Sequence, residues 1–143
     1  RSRERDDRPQ AGLSVLLVDD EEDAREALRL ILQQNRMLVT TAASAREAYE
    51  LVEHLQPDVL LSDIAMPGED GLSLIRRVRM LPFDLGGMVP AIALSAYAGA
   101  EDRRKALLAG FQRHIPKPVD PAHLLAAIAA TVRNNGAHPK RDR

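Results

Sequence analysis

Short apolar runs without polar alternation recur along this chain, VLLV within SVLLV and AIAL within VPAIAL among them, and amphipathic segments separate them. A strand with one wet face alternates polar and apolar residues. A run that does not alternate belongs to a strand covered on both faces, as in a parallel sheet flanked by helices. Five such strands are expected: SVLLV up to Asp19, MLVTT before Ala42, VLLS up to Asp63, VPAIAL up to Ser95 and FQRHIP up to Lys117.

The segments between the runs carry helical periodicity. Ala24, Ala27, Leu28 and Ile31 fall at the i, i+3, i+4, i+7 spacing of one buried stripe, as do Ala45, Ala48, Val52 and Leu55 in a second helix. Ser44 and Glu47 have the spacing of a capping box at that second helix. A third helix is expected from Gly71 to about Met80, and a fourth from about Ala100 to Ala109, stopped by Gly110. A fifth opens on Asp120 as N-cap and Pro121 in the first turn. Alternating βα units make right-handed crossovers, so the C-terminal ends of all the strands lie along one edge of the sheet. The five-stranded, flavodoxin-like form of this α/β class has strand order 2-1-3-4-5. Ligands bind it at the switch point between strands one and three, here the strands that lead to Asp19 and Asp63.

A chain of 143 residues, 45% of them hydrophobic, suffices for one core and hardly for two. The boundaries expected are a flexible linker over 1–12, one folded domain over 13–133 and a disordered tail over 134–143, because both ends are charged and poor in apolar residues. Lys and Arg (20) nearly balance Asp and Glu (21), so no overall field favours nucleic acid or an anionic membrane. With no cysteine, disulfide frameworks and thiolate metal sites are excluded. The apolar runs are too short to cross a bilayer. Arg rather than Met at position 1, with no charged-then-apolar leader after it, suggests a piece of a longer cytoplasmic polypeptide.

Asp19, Asp20, Asp63, Ser95 and Lys117 all fall at expected strand ends. Carboxylates converging on one edge repel each other unless a hard cation lies between them, and Mg²⁺ (or Mn²⁺) takes oxygen ligands while retaining water. The loop IAMPGEDG after Asp63 can turn its backbone so that the Ala65 carbonyl adds a neutral ligand and the Ala65 N–H meets an anion. A carboxylate can attack phosphorus and keep the group as an acyl phosphate. Phosphoryl transfer needs a metal, an ammonium and hydroxyl or backbone donors, roles open to Mg²⁺, Lys117, Ser95 and the Ala65 and Ala96 amides. Taken singly, each residue has an ordinary reading. Asp19 and Asp20 could cap the first helix, Asp63 could be a turn residue, Lys117 a solvated loop lysine and Ser95 without special role. Their joint occurrence at the ends of one parallel sheet argues for a site.

The strings VLLVDDEED, DVLLSDIAMPGEDGLSLIRRVR, AIALSAYAG and IPKPVD closely resemble the receiver domains of response regulators and hybrid sensor kinases, in the family's order and over nearly all of the expected folded segment. The resemblance implies that Asp63 is the phosphoacceptor and that Asp20, Asp63 and the Ala65 carbonyl ligate the metal, with Asp19 supporting it through the hydration shell. It implies that Ser95 and Lys117 contact the phosphoryl group, and that Lys117 precedes a cis bond to Pro118. The donor would be the phosphohistidine of a histidine kinase or a histidine phosphotransfer protein, and Ser95, Tyr97 and His114 would carry the switch. Two positions depart from the usual pattern. Ser95 stands where Thr is commoner, and His114 stands where Tyr or Phe is usual, putting a titratable ring in place of the family's rotating aromatic. The long stretch LPFDLGGMVP is similar to receivers attached to hybrid kinases.

Other classes fit less well. A haloacid dehalogenase phosphatase needs a second Asp two residues after the nucleophile, where this chain has Ala65. No GxxxxGK or GxGxxG follows the first strand, and no segment after Arg133 reads as a helix-turn-helix, so neither nucleotide nor DNA binding is expected. The remaining alternative is a receiver-like module that binds its partner without phosphate.

Overall fold

In a computed structural model that describes residues 8–97 and 99–134, five parallel strands form one sheet in the order β2-β1-β3-β4-β5. The elements alternate without exception: β1 (Ser14–Val18), α1 (Glu22–Gln34), β2 (Leu38–Ala42), α2 (Ala45–Leu55), β3 (Val59–Asp63), α3 (Gly71–Arg79), β4 (Ala91–Ser95), α4 (Ala100–Ala109), β5 (Arg113–Pro116) and α5 (Pro121–Asn134). A single 3-10 turn, Phe83–Leu85, lies between α3 and β4. This is the flavodoxin-like order expected from the alternation.

The helices cover both faces. Leu28 and Leu32 of α1 and Leu124, Ala127 and Ile128 of α5 pack with Val15, Leu17, Leu61, Ile92, Leu94 and Ile115. Ala48 and Val52 of α2, Leu74, Ile75 and Val78 of α3, and Ala106 of α4 pack with Leu16, Val18, Leu60, Ala91 and Ala93 on the other side. Successive residues of a strand thus enter opposite layers, which is why β3 and β4 are buried at every position. The edge strand β2 alternates between exposed and half-buried positions before Ala42, as a strand with a neighbour on one side only does.

Two helical stripes differ from expectation. Ala27 is exposed, and α1 is instead buried through Leu28 and Leu32, with Ile31 packed beside them. Leu32 reaches deeper than the small Ala27 because its i+4 relation to Leu28 follows the centre of the stripe. Leu55, expected in the stripe of α2, is 49% exposed, since Gln56 adopts the left-handed conformation that ends the helix. At the other end of α2, Ser44 Oγ accepts from the Glu47 N–H at 3.2 Å as a cap should. The Glu47 carboxylate reaches back to the Ala43 N–H at 2.9 Å rather than to that of the cap itself. Asp70 caps α3 and Asp120 caps α5 through their side chains.

Most of the terminal segments expected as linker and tail lie outside the described residues. Residues 8–12, placed in the linker, form a turn closed by the Ala11 N–H on the Arg8 carbonyl, and the Gly12 N–H donates to Arg36 at 2.8 Å. Gln10 within this turn is buried.

Candidate functional site

Parallel register brings the strand ends level. Val18 pairs with Ser62, Asp63 with Leu94 and Ser95 with Pro116, so Asp19, Asp63, Ser95 and Lys117 are neighbours on the C-terminal edge. The chain leaves β1 toward β2 on one side and enters β4 from β3 on the other, and the acidic residues stand at that divergence. Carboxylate oxygens of Asp19, Asp20 and Asp63 lie within 4.8 Å of one another. Asp19 is fully buried, Asp63 nearly so, and Asp20 is exposed at the mouth.

Lys117 binds across the pair. Its Nζ donates to Asp19 Oδ2 at 3.3 Å and pairs with Asp63 Oδ1 at 3.4 Å, from a bond to Pro118 that is cis. Its backbone is fixed by the Lys117 N–H donating to the Ser95 carbonyl at 2.8 Å. Asp19 is held from two directions: Oδ1 accepts from the Glu21 N–H at 3.0 Å, and its carbonyl accepts from the Arg25 guanidinium at 2.8 Å. The capping role open to Asp19 is therefore made upstream of the helix, since α1 has Glu21 at its N-cap and no side-chain cap.

Burial, then the charge of Asp19 and more weakly that of Asp20, raises the pKa of Asp63 even with Lys117 against it. Burial also works against the Lys117 ammonium, but Asp63 and Asp19 outweigh it, so its pKa is raised. In the geometry itself, three carboxylates face one ammonium. A cluster of hard oxygens with excess negative charge and one wet ligand fits a small divalent cation such as Mg²⁺.

The loops complete the edge. Ala65 is exposed two residues beyond Asp63, and Ala96 is exposed one residue beyond Ser95. Ser95 itself is buried, and its Oγ accepts from the Tyr97 N–H at 2.9 Å, while the Tyr97 side chain is exposed. The His114 residue is half-buried, with its Nε2 buried and without a hydrogen-bond partner. The structure thus joins Asp19, Asp20, Asp63 and Lys117 directly, and sets Ser95 at the end of the neighbouring strand.

Sequence reasoning missed the supports. Glu69 is held by Arg77 at 2.8 Å and by the Ser73 hydroxyl at 2.9 Å, and the Arg77 guanidinium lies 4.1 Å from the centre of the Tyr49 ring. This cluster ties the loop after Asp63 to α2 and α3. Gly71 at the start of α3 donates its N–H to the Ile64 carbonyl at 2.8 Å. A Cβ there would collide with the Asp63 carbonyl oxygen and come within 2.8 Å of Ile64 Cα. Glycine in a first helical turn, where it has no propensity advantage, was the available signal.

Comparisons agree with this architecture. The response regulator receiver domain family matches residues 15–129. A 14.6 kDa protein encoded in the sodA1 3′ region of Leptolyngbya boryana is 48% identical over 118 residues, covering 82% of this chain and 88% of that protein. The virulence transcriptional regulatory protein PhoP of Salmonella typhimurium is 38% identical over 86% of this chain, which spans only 53% of PhoP. A response regulator structure from Chloroflexus aurantiacus superposes with a TM-score of 0.80 at 30% identity, covering 85% of this chain and 98% of that one. The receiver domain of a Pseudomonas aeruginosa sensor histidine kinase, solved with a magnesium ion coordinated in its active-site cleft, does so at 0.78 and 31%, covering 86% and 99%. Among the described residues no helix is long and apolar enough to cross a membrane.

Proposed function

The chain belongs to the response regulator receiver domain family of two-component systems, and from that premise we propose that it accepts a phosphoryl group on Asp63 from the phosphohistidine of a histidine kinase or a histidine phosphotransfer protein. The observation that carries this reading is the imbalance at the strand ends: three carboxylates within 4.8 Å of one another and one ammonium, Lys117, spanning two of them. An Asp63 carboxylate oxygen attacks phosphorus; the O–P bond forms as the N–P bond breaks, and the imidazole nitrogen leaves with the electron pair. Lys117 meets the incoming phosphoryl oxygens with its positive charge. The Ser95 hydroxyl and the Ala65 and Ala96 amides donate hydrogen bonds to the same oxygens. Asp19, Asp20, Asp63 and the Ala65 carbonyl would hold Mg²⁺ or Mn²⁺, which when bound neutralises charge between carboxylates and phosphoryl group.

The readout proceeds through Ser95. Its Oγ bonds to the Tyr97 N–H in the free protein. Turning Oγ toward a phosphoryl group on Asp63 gives up that bond and shifts the loop from Ala96 to Tyr97 beside α4 and β5, changing the surface a partner reads. The chain is read as a cytoplasmic unit, folded over 13–133 and attached to a hybrid sensor kinase. It makes no direct contact with nucleic acid or membrane.

The test is phosphorylation of the 143-residue chain by acetyl phosphate with Mg²⁺, followed by intact-mass measurement. One hydroxylamine-sensitive phosphoryl group is expected on the wild type and none on Asp63→Asn. No uptake by the wild type, even from a kinase, would favour the interaction module that works without phosphate. An unchanged label on Asp63→Asn would move the acceptor to another residue.

A further inference from the structure

The last turn of α3 carries Arg76, Arg77 and Arg79, and the fold engages two of them. Arg77 lies against Tyr49 of α2 and holds Glu69. Arg79 turns the other way, where its guanidinium donates to the Gly110 carbonyl at the end of α4 at 2.8 Å and to the Gly87 carbonyl at 2.9 Å. Arg76 stands between these two sides on the outward stripe of the helix, and Met80 follows it one turn later.

From Met80 the chain crosses the foot of α3 and is pinned against α2. Gln56 Nε2 donates to the Asp84 carbonyl at 2.6 Å, and Gly86 lies so close to Val52 that a Cβ there would come within 2.7 Å of its side chain. With the backbone drawn in, the large side chains of the crossing face outward: Met80 is 84% exposed, Phe83 80% and Met88 58%. Leu85 and Leu55, the neighbour of Gln56, are exposed beside them. Single exposed apolar residues are ordinary, but a group of five on one short crossing marks a face that another surface covers.

We propose that this face docks a second copy of the chain about a two-fold axis, with Met80 and Phe83 at the centre and Arg76 of each copy set against Asp84 of the other. The charge pattern selects that occupant. Among the described residues no ion pair or hydrogen bond engages the Arg76 guanidinium or the Asp84 carboxylate. Arg76 precedes the apolar group along α3, and Asp84 lies beyond Phe83 on the α2 side. A two-fold rotation exchanges these flanks, so a face with a cation at one end and an anion at the other is complementary to itself. The pairs fix register, and the apolar centre, with two adaptable thioethers, supplies the attraction.

Nothing in the charge of the molecule opposes this contact, since a net charge of −1 gives two copies little mutual repulsion. The chain's own ends do not compete for the face: 1–7 and 135–143 contain no large apolar side chain. The inference is also independent of the phosphoacceptor reading. Helix α3 runs back from the end of β3 to the start of β4, so the crossing lies at the edge of the sheet away from Asp63.

The test is sedimentation equilibrium of the 143-residue chain, without Mg²⁺ or phosphoryl donor, up to about 1 mM. A reversible dimer with Kd on the order of 100 μM is expected, as suits a contact at the small end of specific interfaces. Phe83→Ser should weaken it about tenfold or more, while Leu108→Ser, which removes an exposed leucine of α4, should leave it unchanged. Arg76→Asp and Asp84→Arg should each weaken it about threefold to tenfold by setting like charges together, and the double variant should recover wild-type association. Recovery in the double variant is specific to a self-complementary contact, because a partner of another sequence would not change with it. A wild type that stays monomeric to about 1 mM overturns the second copy and leaves the face to a different partner. Association that ignores Phe83→Ser places the contact elsewhere, and a double variant no better than the single ones overturns the two-fold pairing.

Discussion

Burial of the Asp63 carboxylate beside Asp19 raises its pKa even though Lys117 stands 3.4 Å away. A carboxyl group raised in this way binds protons more readily folded than unfolded. Its ionisation therefore subtracts stability as pH rises through the window between the ordinary carboxylate value and the raised one. Asp63→Asn should accordingly be more stable than the wild type near neutral pH. Urea unfolding should show that gain shrinking to nothing below the ordinary carboxylate range. Ser95 acts differently, because its hydroxyl serves the Tyr97 N–H before any phosphoryl group arrives. Ser95→Ala should take up phosphate from acetyl phosphate at a comparable level while losing most of the spectral response around Tyr97; a full response would separate Ser95 from the switch.

At the level of elements, the site depends on how closely α3 approaches the end of β3. The Gly71 N–H reaches the Ile64 carbonyl at 2.8 Å only because no Cβ intervenes against Asp63 and Ile64. Gly71→Ala must push the start of α3 away from the acceptor strand. It is expected to cost roughly 1–3 kcal/mol in chemical unfolding, as overpacking does, and to slow phosphorylation as well. A variant of wild-type stability and rate would show that this approach has slack. The cluster of Glu69, Ser73, Arg77 and Tyr49 holds the other side of the same loop, so the loop bearing Ala65 is fixed at both ends by α3.

For the molecule as a whole, the edge where five strands end gathers negative charge that folding alone does not neutralise. A cation that binds the folded chain and not the unfolded one adds stability as RT ln(1 + [L]/Kd). Mg²⁺ at about ten times its dissociation constant should thus add about 1.4 kcal/mol, seen as a rise of several degrees in Tm. Asp20→Asn should lose most of that rise while keeping its basal Tm, since Asp20 is exposed and supports no part of the core. Equal Mg²⁺ responses in the two proteins would remove Asp20 from the ligand set.

Local pattern determined the class and the order of elements. Unalternated runs of four or five apolar residues require cover on both faces, and the stop at Gly110 and the caps at Ser44 and Asp120 act within a turn of the helix ends they set. The candidate side chains were legible for the same reason, because a βα alternation sends every strand end to one edge whatever the details of packing. Tertiary structure decided what depends on residues distant in the chain. Leu32 rather than Ala27 lies at the centre of the α1 stripe because the depth of the neighbouring layer selects the larger side chain. Gly71 is required by the carbonyl of Asp63, Arg77 meets Glu69 and Tyr49 across two helices, and Nε2 of His114 is buried without a partner. Periodicity records which face of an element is apolar, but the atoms that meet that face belong to other elements, and only their packing brings them within reach.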